Sequence, residues 1–385
     1  MFLARVLRRC RSVHPNSLRE APLALQEMYR GKKSEKGEPI VLQTLDESAQ
    51  ISPNISLTGR QMWNSTKLIR ENRNFRQTHS ACVVGGSDAI KCIWRKYKIV
   101  PNVVYVPDTE PSVPAWCLEE DLPTCIVRCS PVEINRKLLS AERADGYAAE
   151  FSIPPFPILE NYLGEKKFTR LSSMLVLIGL RIPSNVGLLI KAAVDMGFES
   201  ILLNDCVDLY NEKVLRASGG AVFSPKIKLF ETHSVSISVL SDIAMDHKLL
   251  PLLAVPSQNA ESAFTVAKRL HSLNEAKKNH EEGEEIKDHC GPMLILGSES
   301  QGLRSLAGEW SIPHQFVSVP LPNPSVGSIN VGVAGSVLLH AFRPAAEAHF
   351  AQLAQKDRIL LEDEEERRTT REEEEEAGAT KSFPQ

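Results

Sequence analysis

The chain predicts an α/β architecture in two domains, with the larger one second, and three stretches of the second half carry that prediction. In each, an apolar run of strand character breaks into a polar loop. Met174 to Leu180 precedes Pro183-Ser184-Asn185, Leu294 to Gly297 precedes a Gly-rich turn that holds Glu299, and a strand from Val317 precedes a Pro-rich loop and the cluster Ser328-Ile329-Asn330. After the first loop an amphipathic helix, Val186 to Phe198, leads to another apolar run at Ile201 to Leu203, completing a βαβ unit. Ligands of open α/β sheets bind at the carboxyl ends of strands, so Ser184, Asn185 and Gly187 lie where a site can form. A lone βαβ unit would equally serve a doubly wound core without a site. Three such loops far apart in sequence are what a composite site requires.

Composition narrows the class. A chain of 385 residues has room for two domains, and 42% hydrophobic with 24% charged residues is ordinary globular composition. No apolar run approaches the ~18 residues that cross a membrane, so no membrane partner is expected. The cysteines (Cys10, Cys82, Cys92, Cys117, Cys125, Cys129, Cys206 and Cys290) form no CxxC pair and no spacing with histidine that builds a zinc site. They read as reduced thiols of a non-secreted protein, and no metal is expected. The net charge of −3 conceals a basic segment from Arg60 to Lys98, in which Arg70, Arg73, Arg76, Lys91, Arg95 and Lys96 face only Glu71 and Asp88. Such a segment suits a polyanion; a solvated helix surface is the alternative.

Taken in order, residues 1–20 carry Arg5, Arg8, Arg9, Arg11 and Arg19 with no acid before Glu20, and Leu3, Val6 and Leu7 can share one helical face. This is the composition of a mitochondrial transit peptide, with a basic RNA-binding arm as the alternative. Residues 21–55 show no sustained periodicity and are expected to have little structure of their own. Residues 56–152 predict a small α/β domain: a basic helix around Leu68 and Ile69, a strand at Ala81 to Val84, a Gly85-Gly86 turn, a helix from Asp88 to Tyr97, and strands at Val103 to Val106 and Thr124 to Val127. Pro154, Pro155 and Pro157 mark a linker over 153–170. The large domain then spans 171–345, with a strand at Leu249 to Val255 and an exposed Lys- and Glu-rich insertion over about 258–289. A helix from Asn330 through Ala345 to Leu361 is expected to run into an acidic, disordered end, residues 346–385 forming the tail.

The three loops, read as motifs, are N-x-G at Asn185 to Gly187, G-x-E-x-x-G-L at Gly297 to Leu303 and S-I-N-V at Ser328 to Val331, each after its strand. Together they resemble the SpoU/TrmH family of RNA ribose 2'-O-methyltransferases, and Arg216-Ala217-Ser218-Gly219-Gly220 matches a further pattern of that family. The resemblance implies a carboxyl-terminal trefoil-knot (SPOUT) domain, preceded by an RNA substrate-binding domain. It implies S-adenosylmethionine as cofactor, with Gly297, Val319, Leu321, Ile329 and Asn330 at the cofactor positions. Asn185, Glu299, Ser328 and Asn330 take the polar catalytic positions, and such enzymes pair two protomers, alike or related, through the knot.

Where the family typically has arginine, six residues after Asn185, this chain has Lys191, which keeps the charge and loses the planar fork. A desolvated lysine would be the more plausible base of the two, so Lys191 joins the catalytic candidates. The third loop is one residue longer than usual, through Pro322-Asn323-Pro324, and Gly327 replaces a polar residue before Ser328. Two functions follow. One is a methyltransferase acting on mitochondrial large-subunit ribosomal RNA, with ribosomal proteins as further partners. The other is a catalytically weakened relative that binds ribosomal RNA during large-subunit assembly. Both place the protein in the mitochondrial matrix.

Overall fold

The computed structural model describes residues 39–52, 55–118, 125–154, 171–256, 260–278, 291–298, 303, 308–321 and 329–344. The expected transit peptide, most of the linker, the later part of the insertion and the acidic tail lie outside them, as do Glu299, Ser328 and the Pro322–Pro324 loop. The first lobe is a five-stranded sheet in the order β1 (Ile40–Leu42), β6 (Cys125–Cys129), β5 (Val103–Pro107), β7 (Ala148–Ser152), β4 (Ala81–Gly85). Strand β7 runs antiparallel to both neighbours, and the remaining pairs are parallel. A hairpin of β2 (Ser48–Ser52) and β3 (Ile55–Thr58) feeds helix α1 (Gly59–Glu71). Thr58 closes α1 with a capping box, its hydroxyl accepting from Gln61 N–H while the Gln61 side chain accepts from Thr58 N–H. Helix α2 (Arg73–His79) follows directly, and α3 (Ser87–Lys91) continues into one π-helical turn, Cys92–Lys96. The sheet therefore begins at Ile40, inside the stretch expected to have little structure. A three-residue strand on a sheet edge shows no periodicity long enough to register.

The second lobe is a seven-stranded parallel sheet in the order β10 (Lys228–Thr232), β9 (Ser200–Asn204), β8 (Met174–Ile178), β13 (Gly291–Gly297), β11 (Leu249–Ala254), β14 (Gln315–Ser318), β12 (Glu261–Ser262). Its central strands β8, β13 and β11 are apolar on both faces because both are covered. Along β8, Leu175 and Leu177 face one hydrophobic cluster and Met174 and Val176 the other, as a period of two requires. The first face carries α4 (Pro183–Asp195), α5 (Glu212–Ser218) and α8 (Val331–Ala341); the second carries α6 (Ile237–His247). The expected insertion is in part structural: β12 pairs with β14, and α7 (Ala263–Lys278) buries Ala263, Val266, Ala267 and Leu270. Its apolar positions are diluted by lysine and glutamate, which hid the helix. Helix α8 also stops earlier than expected, at Ala341, with Phe342 N–H bonded to Leu338 O and Pro344 two residues on disfavouring continuation.

The lobes share one core. Cys82, Val84, Ile90, Ile93 and Phe151 of the first lobe belong to the same cluster as Leu189, Val214 and Phe223 of the second, and the Phe151 and Phe223 rings stand 5.8 Å apart. Both lobes lie in one compact unit that ends at Phe342; the unit Arg343–Gln385 falls almost wholly outside the described residues.

Inside the first lobe, Glu150 on β7 is fully buried, accepting from Thr66 Oγ1 at 2.7 Å and Asn102 Nδ2 at 3.2 Å. Burial pushes its carboxyl up to about 7, against these two hydrogen bonds. A raised carboxyl contributes stability that is present in full below the unfolded value near 4.5 and is lost as pH rises through about 7. Burial raises Glu212 to about 7 as well and Glu231 in the same direction, so Glu150→Gln should flatten, without abolishing, the pH dependence of melting between pH 5 and 8 and gain up to ~3 kcal/mol relative to the native chain at pH 8. Thermal denaturation across that range checks it, and parallel curves for the two proteins would contradict it.

Candidate active site

Strand β8 ends at Ile178 and turns through Gly179, whose φ of 67° is the left-handed region that glycine occupies without strain. Pro183 opens α4, where a missing N–H leaves no bond unmade. Asn185 follows in the first turn with its backbone N–H bonded to Ile182 O at 3.1 Å and its side chain half-buried. Strand β13 lies beside β8 with Gly297 in register with Ile178, and Ser298 N–H donates to Ile178 O at 3.1 Å. The carboxyl ends of these adjacent strands are thus flush. A Cβ on Gly297 would sit 2.8 Å from Leu303 Cδ2, so the chain after β13 folds back against it and leaves no room for a side chain.

The third motif arrives from the other direction. Asn330 caps α8, its Oδ1 accepting from Gly332 N–H at 2.9 Å. Helix α8 packs on α4 and β13 at Gly335, where any Cβ would collide with Leu189 and Leu296. At Gly332 a Cβ would stand 3.1 Å from Asn330 Oδ1 and 3.3 Å from Asn185 Oδ1. The two asparagine side chains therefore converge on one glycine, from positions 145 apart in sequence. The glycine of N-x-G has a separate duty: a Cβ on Gly187 would lie 2.5 Å from Val214 O, so α4 and α5 touch through it.

Other predicted positions are placed differently. Val319 packs against the core, Ile329 is half-buried, and Leu321 is exposed. Lys191 is exposed, with its stem over Gly219 and its Nζ 2.8 Å from Asp195 Oδ2. The expectation of a desolvated lysine base is not met: a solvated ammonium held by a carboxylate offers a positive charge. The Lys191 to Asp195 spacing of four on a helix was the sequence signal for that partner. At the same edge Arg181 pairs with Asp205, both exposed. Cys206, beneath them, donates to Leu177 O at 3.3 Å, and burial pushes its thiol up to about 11, which excludes it as a nucleophile at neutral pH.

The arginines of the basic segment are largely engaged within the protein. Arg76 is buried, bonding Asp208 of the second lobe and the carbonyls of Ile69 and Arg70. Arg73 pairs with Glu231 at 3.4 Å, and Arg70 bonds Ser140 and Glu71. These three arginines hold the first lobe together and join it to the second, which corrects their reading as RNA contacts. Arg216 does the same from the opposite side, reaching Leu139 O at 2.7 Å. Arg95 donates to Trp116 O and lies over the Trp94 ring, leaving Lys91 and Lys96 nearer the surface.

Residues 172–340 match the model of the SpoU rRNA Methylase family. The second lobe is a SpoU domain. Solved structures share the fold of the chain beyond that domain. A putative RNA methyltransferase of the TrmH family from Porphyromonas gingivalis is 19% identical, with 73% of this chain and 97% of that one covered at a TM-score of 0.50. An RNA 2'-O ribose methyltransferase is 20% identical, with 79% and 97% covered at 0.54. An AdoMet-bound rRNA methyltransferase from Sinorhizobium meliloti is 14% identical, with 78% and 98% covered at 0.53. No curated protein sequence matches the chain.

The convergence on Gly332 is testable by itself. Gly332→Ala should displace the Asn185 and Asn330 amides by a few tenths of an ångström. Any methyl transfer that this edge supports should fall at least tenfold, while the melting temperature changes by no more than a few degrees. Undiminished turnover would show that the amide geometry of the SpoU domain is not critical.

Proposed function

We propose that the protein is an S-adenosylmethionine-dependent RNA ribose 2'-O-methyltransferase acting on mitochondrial large-subunit ribosomal RNA. The observation that carries the reading is the meeting of Asn185 and Asn330 at the carboxyl edge of a SpoU domain. The residues present fit the cofactor in that Leu321 and Ile329 offer apolar surface near the N-terminus of α8. S-adenosylmethionine supplies an electrophilic methyl group when bound; Gly297, Val319, Leu321, Ile329 and Asn330 would hold it.

The chain's own contribution is alignment. A ribose 2'-hydroxyl is a weak nucleophile, and fixing it in line is worth several orders of magnitude. Asn185 and Asn330 present amides to the same space, able to accept from a hydroxyl and donate to ribose oxygens. Lys191 supports this as a cation for the adjoining phosphate, exchanging its Asp195 partner for the anion. Glu299 and Ser328 complete the set by family likeness. The exposed Leu188 on α4 and Val333 on α8 support pairing of two protomers, alike or related, over this face; Leu188 Cδ2 lies 3.2 Å from the Cβ position of Gly332. The arginine-rich, acid-free start supports a mitochondrial matrix location, and with it the ribosomal substrate.

Calorimetry with S-adenosylmethionine and S-adenosylhomocysteine tests the cofactor, and mapping of 2'-O-methylation across mitochondrial ribosomal RNA, with and without the protein, tests the substrate. Micromolar cofactor binding and one lost methylation site are expected. A folded protein that binds RNA and no cofactor would favour the assembly-factor function. Lys191→Ala should reduce kcat/KM at least tenfold and Lys191→Arg should restore it; a neutral Lys191→Ala rejects the phosphate role. The native chain should sediment as a dimer at micromolar concentration and Val333→Glu as a monomer, whereas a native monomer would refute pairing.

A further inference from the structure

Among the described residues, the first lobe carries a group of rings and cations that packing alone does not require to be at the surface. Trp116, in the short turn Ala115–Leu118, meets the buried Trp94 edge-on at 6.4 Å and Tyr147 at 5.7 Å with planes tilted by 53°. Both Trp116 and Tyr147 keep intermediate exposure, so the fold leaves part of each ring to solvent. Lys91 Nζ stands 5.4 Å from the Trp116 ring and, among the described residues, pairs with Asp88 at 3.5 Å, a side chain 99% exposed. Arg95 braces the arrangement from beneath, donating to Trp116 O while stacking on Trp94. The turn that carries Trp116 also lines an open cavity of about 620 Å³ through Val113, Ala115 and Leu118, the last an exposed leucine.

Two half-exposed rings beside a weakly held ammonium are the elements of single-strand recognition. Every base offers a π-face to an aromatic ring, and the ammonium serves the phosphate beside it. A duplex hides its bases within the stack and would meet only the charge. We propose that Trp116 and Tyr147 form a stacking platform for unpaired nucleotides of the RNA substrate, with Lys91 on the adjoining phosphate and Arg95 as a positioning residue. The platform rests on the RNA-methyltransferase reading for its ligand, but shares no residue with the cofactor and ribose site.

The test uses the full chain, a fluorescein-labelled ten-nucleotide oligouridylate and a duplex RNA of equal length, read by anisotropy and tryptophan quenching. The native protein should bind the single strand with quenching. Trp116→Ala should weaken single-strand binding roughly tenfold, in line with the loss of one base stack, and leave duplex binding unchanged. Trp116→Phe should retain most of it. Lys91→Gln, at a more open position, should weaken binding roughly threefold and lower the salt slope by about one phosphate, with Lys91→Arg restoring both. The proposal is overturned if the native protein does not bind the oligouridylate, if Trp116→Ala at an unchanged melting temperature binds it normally, or if single strand and duplex lose affinity equally. A protein partner at this surface would give the second of those outcomes. Calorimetry with S-adenosylmethionine on the same samples separates the two ideas. Cofactor binding without Trp116 dependence removes the platform alone, and Trp116-dependent binding without cofactor removes the methyltransferase reading alone.

Discussion

The approach of α8 to α4 and β13 governs the rest of the second lobe. It is possible because Gly332 and Gly335 present backbone where a side chain would otherwise hold the helices apart. Gly335 sets the distance by admitting Leu189 and Leu296, and Gly332 then brings the cap of α8 beside the first turn of α4. The parallel sheet supplies the frame, since β8 and β13 are neighbours and end level. A one-residue slip of either strand would turn its apolar residues to the wrong cluster, so the register of the edge is enforced by burial on both faces. The meeting of Asn185 and Asn330 is a by-product of close packing.

The lobes depend on each other through charge as well as through apolar contact. Arg76 is buried with its guanidinium divided between two carbonyls of its own lobe and Asp208 of the other. Removing either partner would leave a charge stranded away from water, which costs far more than an exposed pair would contribute. Arg73 with Glu231 and Arg216 with the Leu139 carbonyl extend the same seam. The basic character of the first lobe is thus spent largely on assembly of the protein itself.

How much of this the sequence disclosed varies with the length of the pattern. Strands β4, β5, β8 and β9 are continuous apolar runs, each readable within a residue or two, whereas β13 begins at Gly291, three residues before the run at Leu294 announces it. Helix α4 was readable from its periodicity, and Asn185, Gly297 and Asn330 from their motifs. Strands β1 and β12 were invisible because two or three residues make no period, and α7 because its buried face is thin among charged residues. The arginines misled for another reason. Local charge counts the residues near in sequence, whereas Asp208 and Glu231, which neutralise Arg76 and Arg73, lie more than one hundred positions away. Nothing in the order of residues announces that Lys91 and Trp116 meet.

A shared core has a consequence for how such a protein would choose its target. Among the described residues, Phe151 packs on Phe223 and Arg76 bonds Asp208, so the two lobes are tied by apolar and charged contacts together. Anything gripped by the first lobe is therefore presented to the Asn185 edge at a set span. On the proposed function, such a fold would act as a ruler: a nucleotide would be selected by its distance from an anchored neighbour, and the identity of its own base would matter less than its place along the strand.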